Sequence, residues 1–103
     1  MARFAGDILD RMSTVKTEVT IQNDAGMHLR PAAAFVHTAN KHKSCEILVE
    51  SAGQRVNGKS IMGLVMLAAS KGTSLAIECT GDGAQEACDE LAQLVNDKFG
   101  TET

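Results

Sequence analysis

The chain has 103 residues, a formal net charge of −3, three phenylalanines and neither tryptophan nor tyrosine. That length suits one domain with one modest core. The acidic balance and the low aromatic content argue against a general nucleic-acid binder, which needs surplus lysine and arginine for phosphates and aromatic platforms for bases.

Residues 1–16 read as an N-terminal extension, separate from a domain over 17–100. Ala5, Ile8, Leu9 and Met12 fall at i, i+3, i+4 and i+7, the stripe of one short amphipathic helix. Such a helix is too short to stand alone and must dock or fray. Ser13-Thr14 ends it. Glu18 to Gln22 alternates with β-branched residues and predicts a strand. Asn23-Asp24-Ala25-Gly26 is a loop. A helix follows over 29–40, its buried stripe made of Leu29, Ala32, Ala33, Val36 and Ala39. Strands are expected at 46–50 and 54–57, joined by a turn at Ser51-Ala52-Gly53. Ser60 caps a helix to about Ser70, closed by Lys71-Gly72, where glycine suits a left-handed terminator. A fourth strand covers 74–79. The last helix covers 84–98, with Ala87, Cys88, Leu91, Leu94 and Val95 inward. This order predicts an α+β fold, an open-faced sandwich in which a four-stranded, mostly antiparallel sheet carries three helices on one face.

Cys45, Cys79 and Cys88 are odd in number and widely spaced, unlike a disulfide framework or a zinc motif. They predict reduced thiols. No apolar run reaches the ~20 residues of a membrane span, and no continuous apolar leader opens the chain, so a cytoplasmic protein without membrane insertion is expected.

Gly26-Met27-His28-Leu29-Arg30-Pro31-Ala32-Ala33 is the most informative run. Glycine allows a sharp bend, and proline suits the first turn of a helix. His28 therefore sits at a helix N-terminus, where free N–H groups and the positive end of the dipole favour an anion. Imidazole titrates near neutrality and can act as a nucleophile. Arg30 adds a cation whose planar fork suits phosphate. A plain capping or surface histidine is the blander reading, and the three phosphate-friendly features at one helix end argue against it.

Ser60, in Val56-Asn57-Gly58-Lys59-Ser60-Ile61-Met62-Gly63-Leu64, is an N-cap that is also suited to phosphorylation, and the two roles are compatible. Gly53 to Ser60 matches the P-loop pattern G-x-x-x-x-G-K-[ST] letter for letter. Too little chain follows it for a nucleotide-binding sheet, no strand ends in a magnesium-binding aspartate, and Gln54 to Asn57 reads as a hairpin strand. The helix after Ser60 lacks a polar face, so Ile61, Met62, Val65, Met66 and Ala69 should form an exposed apolar partner surface, unless the N-terminal helix covers it. His37, His42 and Cys45 fit no standard metal spacing, and no cofactor is expected.

Both quoted runs, in this order and separation, resemble the HPr family of phosphocarrier proteins of the bacterial phosphotransferase system, over about residues 17–100. The resemblance implies an open-faced sandwich and a phosphotransfer intermediate rather than a free-standing enzyme. It implies that His28 accepts phosphoryl on its δ1 nitrogen from enzyme I, charged by phosphoenolpyruvate, and passes it to an enzyme IIA with help from Arg30. It places Ser60 at the family's regulatory serine, the target of an ATP-dependent HPr kinase/phosphorylase. The face of Ile61, Met62, Val65, Met66 and Ala69 falls where the family docks partners. Lys59 to Ala69 and the ending Asp97-Lys98-Phe99-Gly100 are most similar to the nitrogen-related branch, which serves regulation rather than sugar uptake. Ala25 departs from the Ser or Asn of many members, leaving the phosphate to backbone N–H groups and Arg30. A regulatory binding module, switched at Ser60 without onward transfer, is the alternative.

Overall fold

The computed structural model of the chain describes residues 13–100. Its elements are β1 (Thr14–Thr20), α1 (Leu29–Ala39), β2 (Cys45–Ser51), β3 (Gln54–Asn57), α2 (Ile61–Met66), β4 (Ser74–Gly81) and α3 (Ala84–Asn96), with a final 3₁₀ turn at Lys98–Gly100. The four strands form one sheet in the order β1-β4-β2-β3, and every neighbouring pair is antiparallel. The expected fold class is the one observed.

Alternation along the strands builds the core. Val19, Ile47, Val49, Leu75, Ile77 and Cys79 are buried. The intervening Lys16, Glu78, Leu48 and Asn57 line up across the opposite face, as do Glu18, Ala76, Glu50 and Arg55. Period-two alternation places these two sets on opposite sides of the pleat. The helices close the apolar side with Ala32, Phe35 and Ala39 of α1, Leu64 of α2, and Ala87, Leu91 and Val95 of α3, all fully buried. Leu94 is only half-buried.

Some expectations need correction. β1 begins at Thr14, so residues 14–16 are sheet residues rather than extension, and Thr14 pairs with Thr80. Pairing with β4 decides this, since β4 continues past Cys79 to Gly81 and offers partners. The remainder of the expected N-terminal helix lies outside the described residues. α2 stops at Met66 instead of running to Ser70, because Ala68 takes a left-handed φ of 52°. Gly72 does adopt the positive φ expected of it, 90°, but in the turn that enters β4. Leu29 is exposed, and Ala33 with it, while Phe35 takes the buried stripe. Leu29 sits in the first turn, beyond the end of the core that α1 covers.

The antiparallel sheet fixes where the chemistry lies. β1 runs from Thr14 toward Thr20, which faces Ser74 at the start of β4. The chain beyond β1 therefore emerges at one end of the sheet. There Gly72 N–H donates to the Ile21 carbonyl, and Ile21 N–H donates to Thr73.

Candidate functional site

Pro31 and the alanines after it start α1, and His28 occupies the N-cap with extended backbone (φ −99°, ψ −167°). Its carbonyl accepts the Ala32 N–H at 3.0 Å, closing the first turn. Pro31 has no N–H to satisfy. Among the described residues no carbonyl takes the N–H of Leu29 or Arg30, so these two amides stay open at the positive end of the helix. The first turn holds no acidic residue that would compete for them.

His28 makes no capping bond with its side chain, and its ring is half-buried. The buried part includes Nε2, which has no hydrogen-bond partner. Arg30 is exposed, and no carboxylate among the described residues pairs with it. One helix end thus carries a half-buried imidazole, open amides and an unengaged guanidinium. Such an arrangement can bind an anion such as a phosphate. Two surface hollows, one beside Ser51 to Gly53 and one beside Asp82 to Glu86, include neither His28 nor Arg30.

The loop before α1 is held tightly. Gly26 has φ 74°, and a Cβ there would meet the Ala69 carbonyl oxygen at 2.4 Å. Met27 N–H donates to that same oxygen at 2.8 Å. The chain after α2 is therefore the platform on which the His28 loop rests. Ala69 is correspondingly buried, at 5% exposure, which removes it from the expected surface patch. Lys71 also reaches Asp24 in this loop, and that contact holds the Asp24 carboxyl below the usual carboxylate range.

The rest of the patch is more finely graded than the expectation. Met62 and Met66 stand 64% and 71% exposed, while Ile61 and Val65 are half-buried against the core. Leu29, at the start of α1, is a further large exposed apolar side chain, at 64%. Its place in the buried helical stripe hid it from the sequence pattern.

Ser60 is the N-cap of α2, and its Oγ accepts the Gly63 N–H at 3.0 Å. The P-loop letters have other uses. Gln54–Asn57 is β3, paired with β2, and a Cβ on Gly58 would meet Ile47 Cγ2 at 2.5 Å. Lys59 turns its amine inward to donate to the carbonyls of His42 and Cys45, at 2.9 and 2.8 Å. A phosphate would find neither the loop nor the lysine available.

His42 and Cys45 also serve the fold. His42 Nε2 bonds Glu90 at 2.7 Å, and Lys41 reaches the other oxygen of that carboxylate at 2.6 Å. These bonds, Lys41 first, hold Glu90 below its ordinary carboxylate range. Cys45 Sγ donates to the Asp82 carbonyl. Burial pushes the thiols of Cys45 and Cys88 up and takes Cys79 to about 12. Thiols so shifted are poor nucleophiles at neutral pH.

The family model described as the PTS HPr component phosphorylation site matches residues 15–97. The chain belongs to the HPr family. Its relatives include the phosphocarrier protein HPr of Neisseria meningitidis serogroup A, 45% identical over 86 residues, 84% of this chain and 96% of that one. The HPr-like protein Crh of Bacillus subtilis is 40% identical over 84 residues, 82% of this chain and 98% of the relative. The crystal structure of HPr from Thermoanaerobacter tengcongensis superposes with a TM-score of 0.80 at 42% identity, covering 86% of this chain and 99% of that one. HPr proteins are phosphocarriers of the phosphotransferase system. No helix among the described residues is long and apolar enough to cross a membrane.

Proposed function

We propose that this HPr-family chain carries a phosphoryl group on Nδ1 of His28, accepting it from enzyme I and donating it to an enzyme IIA in the cytoplasm. In the forward step the Nδ1 lone pair forms a bond to phosphorus as the donor's bond to phosphorus breaks. In the second step the Nδ1–P bond breaks toward the acceptor. The chain is then an intermediate in transfer rather than a free-standing enzyme. The observation that carries this reading is the half-buried His28 ring at the N-cap of α1, at the helix end that holds the open amides and the unengaged Arg30. A phosphohistidine brings close to two negative charges, and the helix end and guanidinium oppose them without enclosing them. Release stays feasible because nothing else wraps the group.

Leu29, Met62 and Met66, with the half-buried Ile61 and Val65, are the surface on which those partners would dock. Ser60 is the candidate regulatory site, with an HPr kinase/phosphorylase as the further partner. A phosphate on its Oγ adds about −1.5 to −2 charges at the N-terminus of α2, beside that same surface. Relatives named Crh favour a second reading, a regulatory module that does not pass phosphate on.

Incubation with labelled phosphoenolpyruvate and enzyme I separates these readings. The expected result is an acid-labile, alkali-stable label that is absent from His28→Ala and chased off by an enzyme IIA. No label on the wild-type chain overturns the carrier reading. A label that no enzyme IIA removes favours the regulatory one.

A further inference from the structure

Asn23 is fully buried, at 0% exposure, in a chain whose other buried residues are almost all apolar. A buried carboxamide costs free energy unless its bonds are made, and an apolar residue would fill the space more cheaply. Its donor is therefore the feature to explain. Nδ2 donates to the Gly26 carbonyl at 2.8 Å, and the Gly26 N–H returns a bond to the Asn23 carbonyl at 3.2 Å. The Gly26 carbonyl also accepts the His28 N–H at 3.0 Å. One oxygen thus receives both the Asn23 side chain and the backbone of the phosphate-accepting residue.

We propose that Asn23 is a positioning residue for phosphotransfer, acting through the Gly26 carbonyl to hold the backbone of His28 and so the direction of its ring. The inference rests on the carrier reading above. With the His28 N–H turned onto Gly26, the histidine's backbone cannot rotate freely about the N-cap. The Met27 bond to Ala69 fixes the neighbouring peptide from the other side. Its effect is orientational, passing through the Gly26 carbonyl. A small misplacement of a reacting group costs rate far more than binding.

The test uses the full chain with labelled phosphoenolpyruvate and enzyme I, comparing wild type, Asn23→Ala, Asn23→Asp and Cys79→Ala. Asn23→Asp keeps the shape but sets a carboxylate oxygen, which cannot donate, against the Gly26 carbonyl. Cys79→Ala opens a small cavity in the fully buried far end of β4, where that residue faces Val15, and reports on lost stability alone. At a temperature where circular dichroism shows each variant folded, both Asn23 variants should lose about tenfold in kcat while KM for enzyme I stays within about twofold. Cys79→Ala should keep both. Asn23 variants with wild-type kcat, or an equal loss in Cys79→Ala, overturn the proposal. A wild type that takes no label overturns the carrier reading itself. Amide exchange on the wild-type chain needs no variant: the N–H groups of Met27 and His28 should exchange more slowly than those of Leu29 and Arg30. Equal rates would show that the loop is not held.

Discussion

Gly26 meets two requirements that no other residue type meets together. Its φ of 74° lies where a Cβ is strained, and the Ala69 carbonyl stands where that Cβ would be. Gly53 offers a control: its φ of 84° is similarly left-handed, but nothing lies within 4 Å of a Cβ there. Gly53→Ala should incur backbone strain alone, on the order of 1 kcal/mol. Gly26→Ala adds a clash with backbone that cannot swing aside, so its loss should exceed ~2 kcal/mol, a fall in Tm of roughly 10 °C for a domain this small. Thermal unfolding followed by circular dichroism compares the two, and equal shifts would remove Ala69 as the support of the loop. At this scale the helix start at His28 was legible because its signal is local. His28, Arg30 and Pro31 lie in one short run whose residue types announce an anion site at a helix start. Asn23 was not legible, because an asparagine in a loop looks like ordinary turn chemistry until its burial is known. Leu29 misled for the opposite reason: periodicity shows which face of a helix is apolar but not where the underlying core ends.

The elements are short and held by contacts as much as by propensity. α2 has six residues, too few to persist alone, and it stands on the Ser60 cap and the fully buried Leu64. Its end was invisible in the sequence, since Leu67, Ala68 and Ala69 are good helix formers. What stops the helix is the left-handed Ala68, and the turn it makes delivers the Ala69 carbonyl to Met27. β3, in contrast, has the predicted bounds because a glycine-containing turn and the helix cap bracket it. α1 and α3 are joined by the Glu90 carboxylate, which takes Lys41 and His42 from the loop after α1. Glu90 is held below the ordinary range in the folded chain, so the native state binds its proton more weakly than the unfolded chain does. Its contribution is therefore complete above the ordinary glutamate value of about 4.3 and is lost as pH falls through the depressed folded value. Glu90→Gln should accordingly lower Tm near neutrality and narrow its gap to wild type as the solution is acidified below about pH 4. A gap that stays constant down to pH 3 would mean that the clasp contributes no pH-dependent stability. Both partners are partly exposed, so the neutral-pH difference should stay below ~1 kcal/mol.

For the whole molecule, the bond from Met27 to Ala69 sets the His28 loop and the start of α1 beside the chain that leaves α2, and Leu29, Met62 and Met66 are the large exposed apolar side chains of these two helices. Large apolar side chains left exposed suit a surface that a partner would cover. They would be desolvated only if a partner covers the histidine to reach it. Docking and chemistry should therefore separate cleanly in kinetics. Met66→Glu places a charge on a side chain that is 71% exposed in the free chain, so its stability should stay within about 0.5 kcal/mol of wild type. In a covered complex that charge loses water without gaining a partner, a cost of at least ~1.4 kcal/mol, or about tenfold in affinity. Labelling by enzyme I should then show KM raised about tenfold and kcat nearly unchanged, with Met62→Glu behaving alike. On the proposed carrier role, Arg30→Ala should do the reverse, lowering kcat at similar KM, because the guanidinium would act on the phosphoryl group in flight rather than on the docked surface. An unchanged KM in both methionine variants would mean that enzyme I approaches His28 from another side, and the apolar cluster would then need a different occupant.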